Sequence, residues 1–219
     1  SNTSKIISAS LTSTSDTYNL YFDTGSGYGH TFRVGDLIRA QRWTPTNNGS
    51  GSTDGHASYN SELQITSITS VSGAVAVLTG SDAPQPGYEY VRIGHLNDSS
   101  RQGSIYMTAD DTYAPFIDVV DGVGSHAQWN STGKVKTRMG RLDGISTSVF
   151  PNVSGYGFYA SGSAYLEGAV NATSGLIGGW GISSNRISSS NIYLESDTQR
   201  IYIKNATFGS TGIQMGYNS

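Results

Sequence analysis

Short apolar runs separated by turn residues organise this chain. KIISASL (5–11), NLYFD (19–23), TFRVGDLIRAQRW (31–43), ELQITSITSV (62–71), AVAVLTG (74–80) and YEYVRIG (88–94) are each bounded by clusters of Gly, Asp, Asn or Pro. Strands at this spacing predict a small antiparallel barrel or sandwich over residues 1–95. Between Trp43 and Glu62 the string TPTNNGSGSTDGHASYN has no apolar period and reads as a long loop, either a binding loop or a tolerated insertion at a hairpin tip.

A second module is predicted over 96–145, with runs at 103–111, 115–123 and 133–145 and turn dipeptides at Asp121-Gly122 and Asp143-Gly144. Val135, Thr137 and Met139 alternate with Lys134, Lys136 and Arg138, the period-2 signature of a half-buried strand. On that pattern the three basic side chains, with Arg141 beyond them, form a ladder on the solvent face. It is either a grip for an anionic glycan or a charged strand edge.

From 146 to 219 the texture thins. Apolar residues come as pairs one position apart, Ile192 and Leu194, Ile201 and Ile203, Ile213 and Met215, with turns every eight to twelve residues. Strands this short and one-sided cannot fold alone. Three chains around a common axis would bury their faces together, which predicts a glycine-rich trimeric interwound stem or β-prism. Gly178, Gly179 and Gly181 would then allow close approach near the axis, and Trp180 would cover the junction.

Composition supports an all-β class. The 219 residues include 28 glycines but only 13% charged residues, too few helix formers for long helices. A chain this polar buries only a thin core within one protomer, so association into homo-oligomers is expected. The net charge of −3 leaves no basic footprint for nucleic acid. Without cysteine there is no disulfide framework or thiolate metal site. No run of about 18 apolar residues is present for membrane insertion, and SNTSKIISAS lacks the apolar core of a signal peptide. The mid-strand character of KIISASL suggests a piece of a longer protein.

Several strings also resemble a known family. VRIGHLNDSSRQGSIYMTADDTYAPFIDVVDGV (91–123), KVKTRMGRLDGI (134–145), GYGFYASGSAYLEGAV (155–170) and SGLIGGWGI (174–182) look like blocks of bacteriophage and prophage tail fibre and tail-tip proteins. The resemblance covers roughly residues 88–182, with FRVGDLIRAQRW the best match before it. It implies an elongated homotrimeric fibre in the virion tail, outside the host cell. Its partners would be other tail proteins and host surface polysaccharide. The family brings no catalytic residue set that maps onto these positions.

Candidate chemistry is sparse, and the reading is a non-enzyme. The alternatives are a polysaccharide depolymerase tailspike, which needs two carboxylates about 5–10 Å apart, and a purely structural tail-tip connector. Glu62, Glu89, Glu167 and Glu195 are scattered, Asp110 and Asp111 read as a turn, and Asp118 and Asp121 should point to opposite faces. His30, His56, His95 and His126 fall in separate loops without ligand spacing, so no metal and no cofactor is expected, unless three copies of one His meet on a trimer axis. Aromatic faces suited to sugar rings occur at Trp43, Trp129, Tyr156, Tyr159 and Tyr165. These, with Lys134, Lys136 and Arg138, form the candidate ligand set. The candidate packing set is Gly178, Gly179, Trp180, Gly181, Ile192, Leu194, Ile201 and Ile203.

Overall fold

The computed structural model describes residues 3–12, 16–23, 29–45, 56–109, 111–207 and 209–216. The chain divides into two compact units, residues 1–164 and 165–219. The first opens with a closed barrel of β1 (Thr3–Leu11), β2 (Thr17–Phe22), β3 (Asp36–Pro45), β4 (His56–Ile68), β5 (Ser72–Val77) and β6 (Glu89–His95). Its strand order is β1-β2-β5-β4-β3-β6, with β6 returning to β1, and every pairing is antiparallel. All six apolar runs expected over 1–95 become strands. Closure decides between barrel and sandwich, and it leaves no sheet edge open.

Alternation along the strands fills the barrel with Ile6, Leu20, Phe22, Ile38, Leu63, Ile65, Val75 and Tyr90, all nearly or fully buried. Register shifts at Ile6/Ser8, Leu37/Ile38 and Ile65/Ser67 supply the bends a small barrel needs to close. The phenol of Tyr90, pushed up in pKa by burial, donates to Ser61 Oγ at 2.6 Å, so the core's polar atom is satisfied. Within the stretch expected as a loop between Trp43 and Glu62, β3 and β4 run on as a ladder as far as Pro45 and His56. Residues 46–55 lie outside the described residues.

After β6 the chain passes through a 3-10 turn, Ser99–Arg101, that locks it to the barrel. Arg101 grips the fully buried Asp36 with two hydrogen bonds, Nε to Oδ1 at 2.8 Å and Nη2 to Oδ2 at 2.6 Å. Asp36 also accepts from the Arg33 amide at 2.7 Å. His95 Nδ1 accepts from the amides of Asn97 and Asp98, which makes Nε2 the donor to the Val34 carbonyl at 3.0 Å. That imidazole lies against Gly35, whose φ of +90° and lack of a Cβ both make room for it.

A four-stranded antiparallel sheet follows: β7 (Ser104–Thr108), β8 (Phe116–Val120), β9 (Val135–Arg141) and β10 (Tyr156–Ala160), in the order β10-β9-β8-β7. Its inner face covers a small cluster of Val120, Val123, Val135 and Ile145, against which Trp129, Val153 and Tyr159 pack. The pairing of β9 with β10 crosses the boundary expected at 145/146, because Tyr156–Ala160 completes this sheet and starts no stem. His95 donates its amide to the Val123 carbonyl, and a Cβ on Gly94 would stand 2.3 Å from that same oxygen. His126 Nε2 reaches the Ile38 carbonyl at 3.3 Å, a second tie between sheet and barrel.

The second unit holds a six-stranded meander in sequence order: β11 (Gly175–Ile177), β12 (Trp180–Ile182), β13 (Arg186–Ser189), β14 (Ile192–Glu195), β15 (Arg200–Ile203) and β16 (Ile213–Gly216). Each expected apolar pair in this region occupies one strand.

Gly94→Ala is expected to destabilise the first unit by about 1–3 kcal/mol, since a backbone carbonyl must move, and Ile65→Ala by about 2–5 kcal/mol; urea unfolding measures both. Burial holds the His126 imidazole below its ordinary pKa of 6.5. The unfolded chain therefore takes up the proton first, and stability falls as the pH drops from 6.5 towards the lower folded value. His126→Gln should remove that share of acid sensitivity in melting curves collected stepwise below pH 6.5.

Candidate functional site

The inner face of the four-stranded sheet contains a buried ion pair. Asp118 on β8 and Arg138 on β9 stand directly opposite in the antiparallel register. Arg138 donates from Nε and Nη2 to the two oxygens of Asp118, each at 2.7 Å. Only 1% of the Asp118 side chain and 3% of the Arg138 side chain remain exposed. The guanidinium lies 3.8 Å over the Phe116 ring, and its Nη1 donates to the Asp143 carbonyl at 3.3 Å. Tyr106 then packs edge-on to both Phe116 and Trp129.

This arrangement corrects the expected basic ladder. A bulge shifts the register between Val119 and Val120, so Val120 pairs with Val135 while Val119 pairs with Thr137. Both Val135 and Arg138, three positions apart, therefore face inward. Met139, expected inside, is turned out. Lys134 belongs to the 3-10 turn Thr132–Lys134 ahead of the strand, and of the three expected ladder residues only Lys136 remains an exposed cation within β9; Arg141, at the strand's end, is exposed as well. Three basic side chains on one face do not exist here. Asp118, considered above as a catalytic carboxylate, is fully engaged by Arg138, while Asp121 is exposed.

The outer face is apolar. Ile105 and Met107 on β7 are 75% and 74% exposed, and Phe158 on β10 is 62% exposed. Ile117, Val119, Met139 and Tyr156 complete the same face, in register rows Met107–Ile117–Met139–Phe158 and Ile105–Val119–Thr137–Ala160. An open apolar groove of about 510 Å³ runs between Met107, Pro115, Ile117, Met139 and Tyr156.

The aromatic candidates are scattered by the fold. Trp129 and Tyr159 pack on the inner cluster and spend their faces there. Tyr156 lies on the outer face, and Tyr165 is almost wholly exposed at the start of the second unit. Trp43 sits in β3 opposite Ser58, and its side chain lies outside the described residues.

In the second unit the register brings the packing candidates together. Ile192 pairs with Ile203 and Leu194 with Ile201, so all four share a face. The same face continues through Ile182 and Ile187 to one side and Ile213 and Met215 to the other. Trp180, two residues before Ile182, projects to that side as well. Ile182, Ile187, Leu194 and Ile201 line an open groove of about 550 Å³. The opposite face is polar and knitted together. Tyr193 and Tyr202 stack at 4.5 Å, Tyr202 donates to Glu195 at 2.9 Å, and Arg186 lies over Tyr193.

Gly178 and Gly179 have a local task that sequence reasoning did not assign to them. They are the two central residues of the β11–β12 hairpin, at φ +54° and +84°, where both positions require a left-handed backbone. Gly181 lies in β12, opposite Ser188. Sequence reasoning also missed Ile182 and Ile187. The apolar pairing used to find the strands overlooks strands that contribute a single isoleucine beside a tryptophan or a serine.

Among the described residues no cluster of three His, Asp or Glu could hold a metal ion, and no helix is long and apolar enough to cross a membrane. No protein family, curated protein or solved structure matches this chain.

Asp118→Leu or Arg138→Met should each destabilise the first unit by about 3–5 kcal/mol, because one charge is left buried without its partner. The double variant Asp118→Leu/Arg138→Met should lose distinctly less than the two single losses added together, as a thermal double-mutant cycle would reveal.

Proposed function

We propose that this chain is a segment of a homotrimeric tail fibre of a bacteriophage or prophage, an adhesive and structural part of the virion tail. The observation that carries this reading is the second unit: a single-layer meander with one continuous aliphatic face. Among its described residues no second layer of its own covers that face. Eight exposed or half-exposed aliphatic side chains on one sheet face are costly to leave in water. Three copies facing a shared axis would bury them as a β-prism, with the tyrosine face outward. The resemblance of residues 88–182 to tail fibre blocks supports the same assembly.

The role follows from the assembly. A rigid trimer projects three copies of each surface, so weak affinity for a host surface polysaccharide is multiplied by avidity. Of the ligand candidates, Tyr165 and Lys136 keep exposed side chains that can contact a sugar. A depolymerase would need a pair of free carboxylates across the scissile bond, and the Arg138 pairing takes Asp118 out of that role.

Light scattering at micromolar concentration is expected to give three times the 23.2 kDa chain mass, and Leu194→Glu should reduce it to one. A single-chain mass for the unaltered protein sinks the proposal. On a glycan array the trimer should bind at least one polysaccharide class, and silence from an intact trimer would make it a connector.

A further inference from the structure

In the first unit the four-stranded sheet is largely apolar on both faces: Phe116, Val120 and Val135 lie inside, with one charged pair among them. The charged pair Asp118–Arg138 occupies the interior, while Ile105, Met107, Ile117, Val119, Met139, Tyr156 and Phe158 face away from it. A sheet with one solvated face normally keeps that face polar, apolar in and polar out. The buried arginine is compensated by Asp118, whereas nothing among the first unit's described residues compensates the exposure of the outward apolar side chains.

We infer that the outer face of this sheet is a second self-association surface, and that its occupant is another copy of this chain. The inference rests on the homotrimer proposed above and places a contact in the first unit, where sequence reasoning put none. Three observations favour a copy. Area comes first: the seven side chains together expose on the order of 800 Å², about what one partner gives to a stable interface of standard size. Charge is the second. Arg141, at one end of the face, is already paired with Asp143 at 2.8 Å, and Lys136 lies at the bulge at the other end. The field between them offers no charge pattern to select a foreign partner, while Met107 and Met139 are side chains that adapt to a like surface. The third is the aliphatic face in the second unit of the same chain. A copy held through that face meets this one at a high effective concentration, so neither contact has to hold the assembly alone.

The chain contains no cysteine, so Met139→Cys introduces a unique thiol in the middle of the face, and Ser99→Cys places one on an exposed turn as a reference. In the full chain, the Met139→Cys thiol should react with a charged methanethiosulfonate at least ten times more slowly than the Ser99→Cys thiol. Met107→Lys should raise the concentration of half-dissociation at least ten-fold by sedimentation. Equal labelling rates in a sample whose scattering mass is three chains would overturn this inference and leave the trimer standing. A protected thiol at a mass of one chain would also overturn it, since the cover would then come from within the chain. An open thiol at a mass of one chain removes both readings together.

Discussion

An antiparallel sheet can bury an apolar face only if something lies on it, and each of the three sheets here meets that requirement differently. The barrel covers itself. Closure from β1 round to β6 turns every inward side chain onto the others, so Ile6, Leu63, Ile65 and Tyr90 need no partner element. The four-stranded sheet covers its inner face with the segment that holds Val123, Trp129 and Ile145, and its outer face has no cover within the first unit's described residues. The meander of the second unit covers neither face from its own strands. Self-sufficiency thus falls along the chain, from a closed core to a single layer.

The Asp118–Arg138 pair is the hinge of this gradation. Buried ion pairs contribute little net stability, because desolvation of both charges offsets their attraction. What this one does is fix orientation. With its bidentate geometry satisfied and Phe116 stacked on the guanidinium, the sheet has one way to lie on the barrel side. Reversing it would bury Met107 and Met139 and give up the buried bidentate pairing and the Phe116 contact. The inward Asp118–Arg138 pair and the outward Met139 are one choice, made by the register of β8 against β9.

The junction between barrel and sheet depends on a different kind of constraint. Asp36, Arg101 and His95 tie the connecting turn to the barrel through bonds to backbone as well as to one another, and Gly35 and Gly94 permit the close approach. Sequence reading weighed only His95, as a metal ligand, and gave it no such role, while Asp36 and Arg101 are 65 positions apart. Only the fold places them in contact.

Much of the fold was legible before any coordinates. Turn residues and two-residue periodicity located the barrel strands, since a half-buried strand must alternate. The pairs Ile192/Leu194 and Ile201/Ile203 announced a one-faced sheet for the same reason, and antiparallel register then put all four on one side. What alternation cannot tell is which parity points inward. In VKTRMGR the sequence by itself determined that two faces exist and differ; a bulge opposite Val120 decided that Arg138 and not Met139 would be buried. Gly178 and Gly179 were visible as places for glycine, and their positive φ shows that the β11–β12 turn requires them. Local pattern is set by side-chain chemistry along the chain, whereas orientation depends on register against a distant strand, and register exists only once the strands have met.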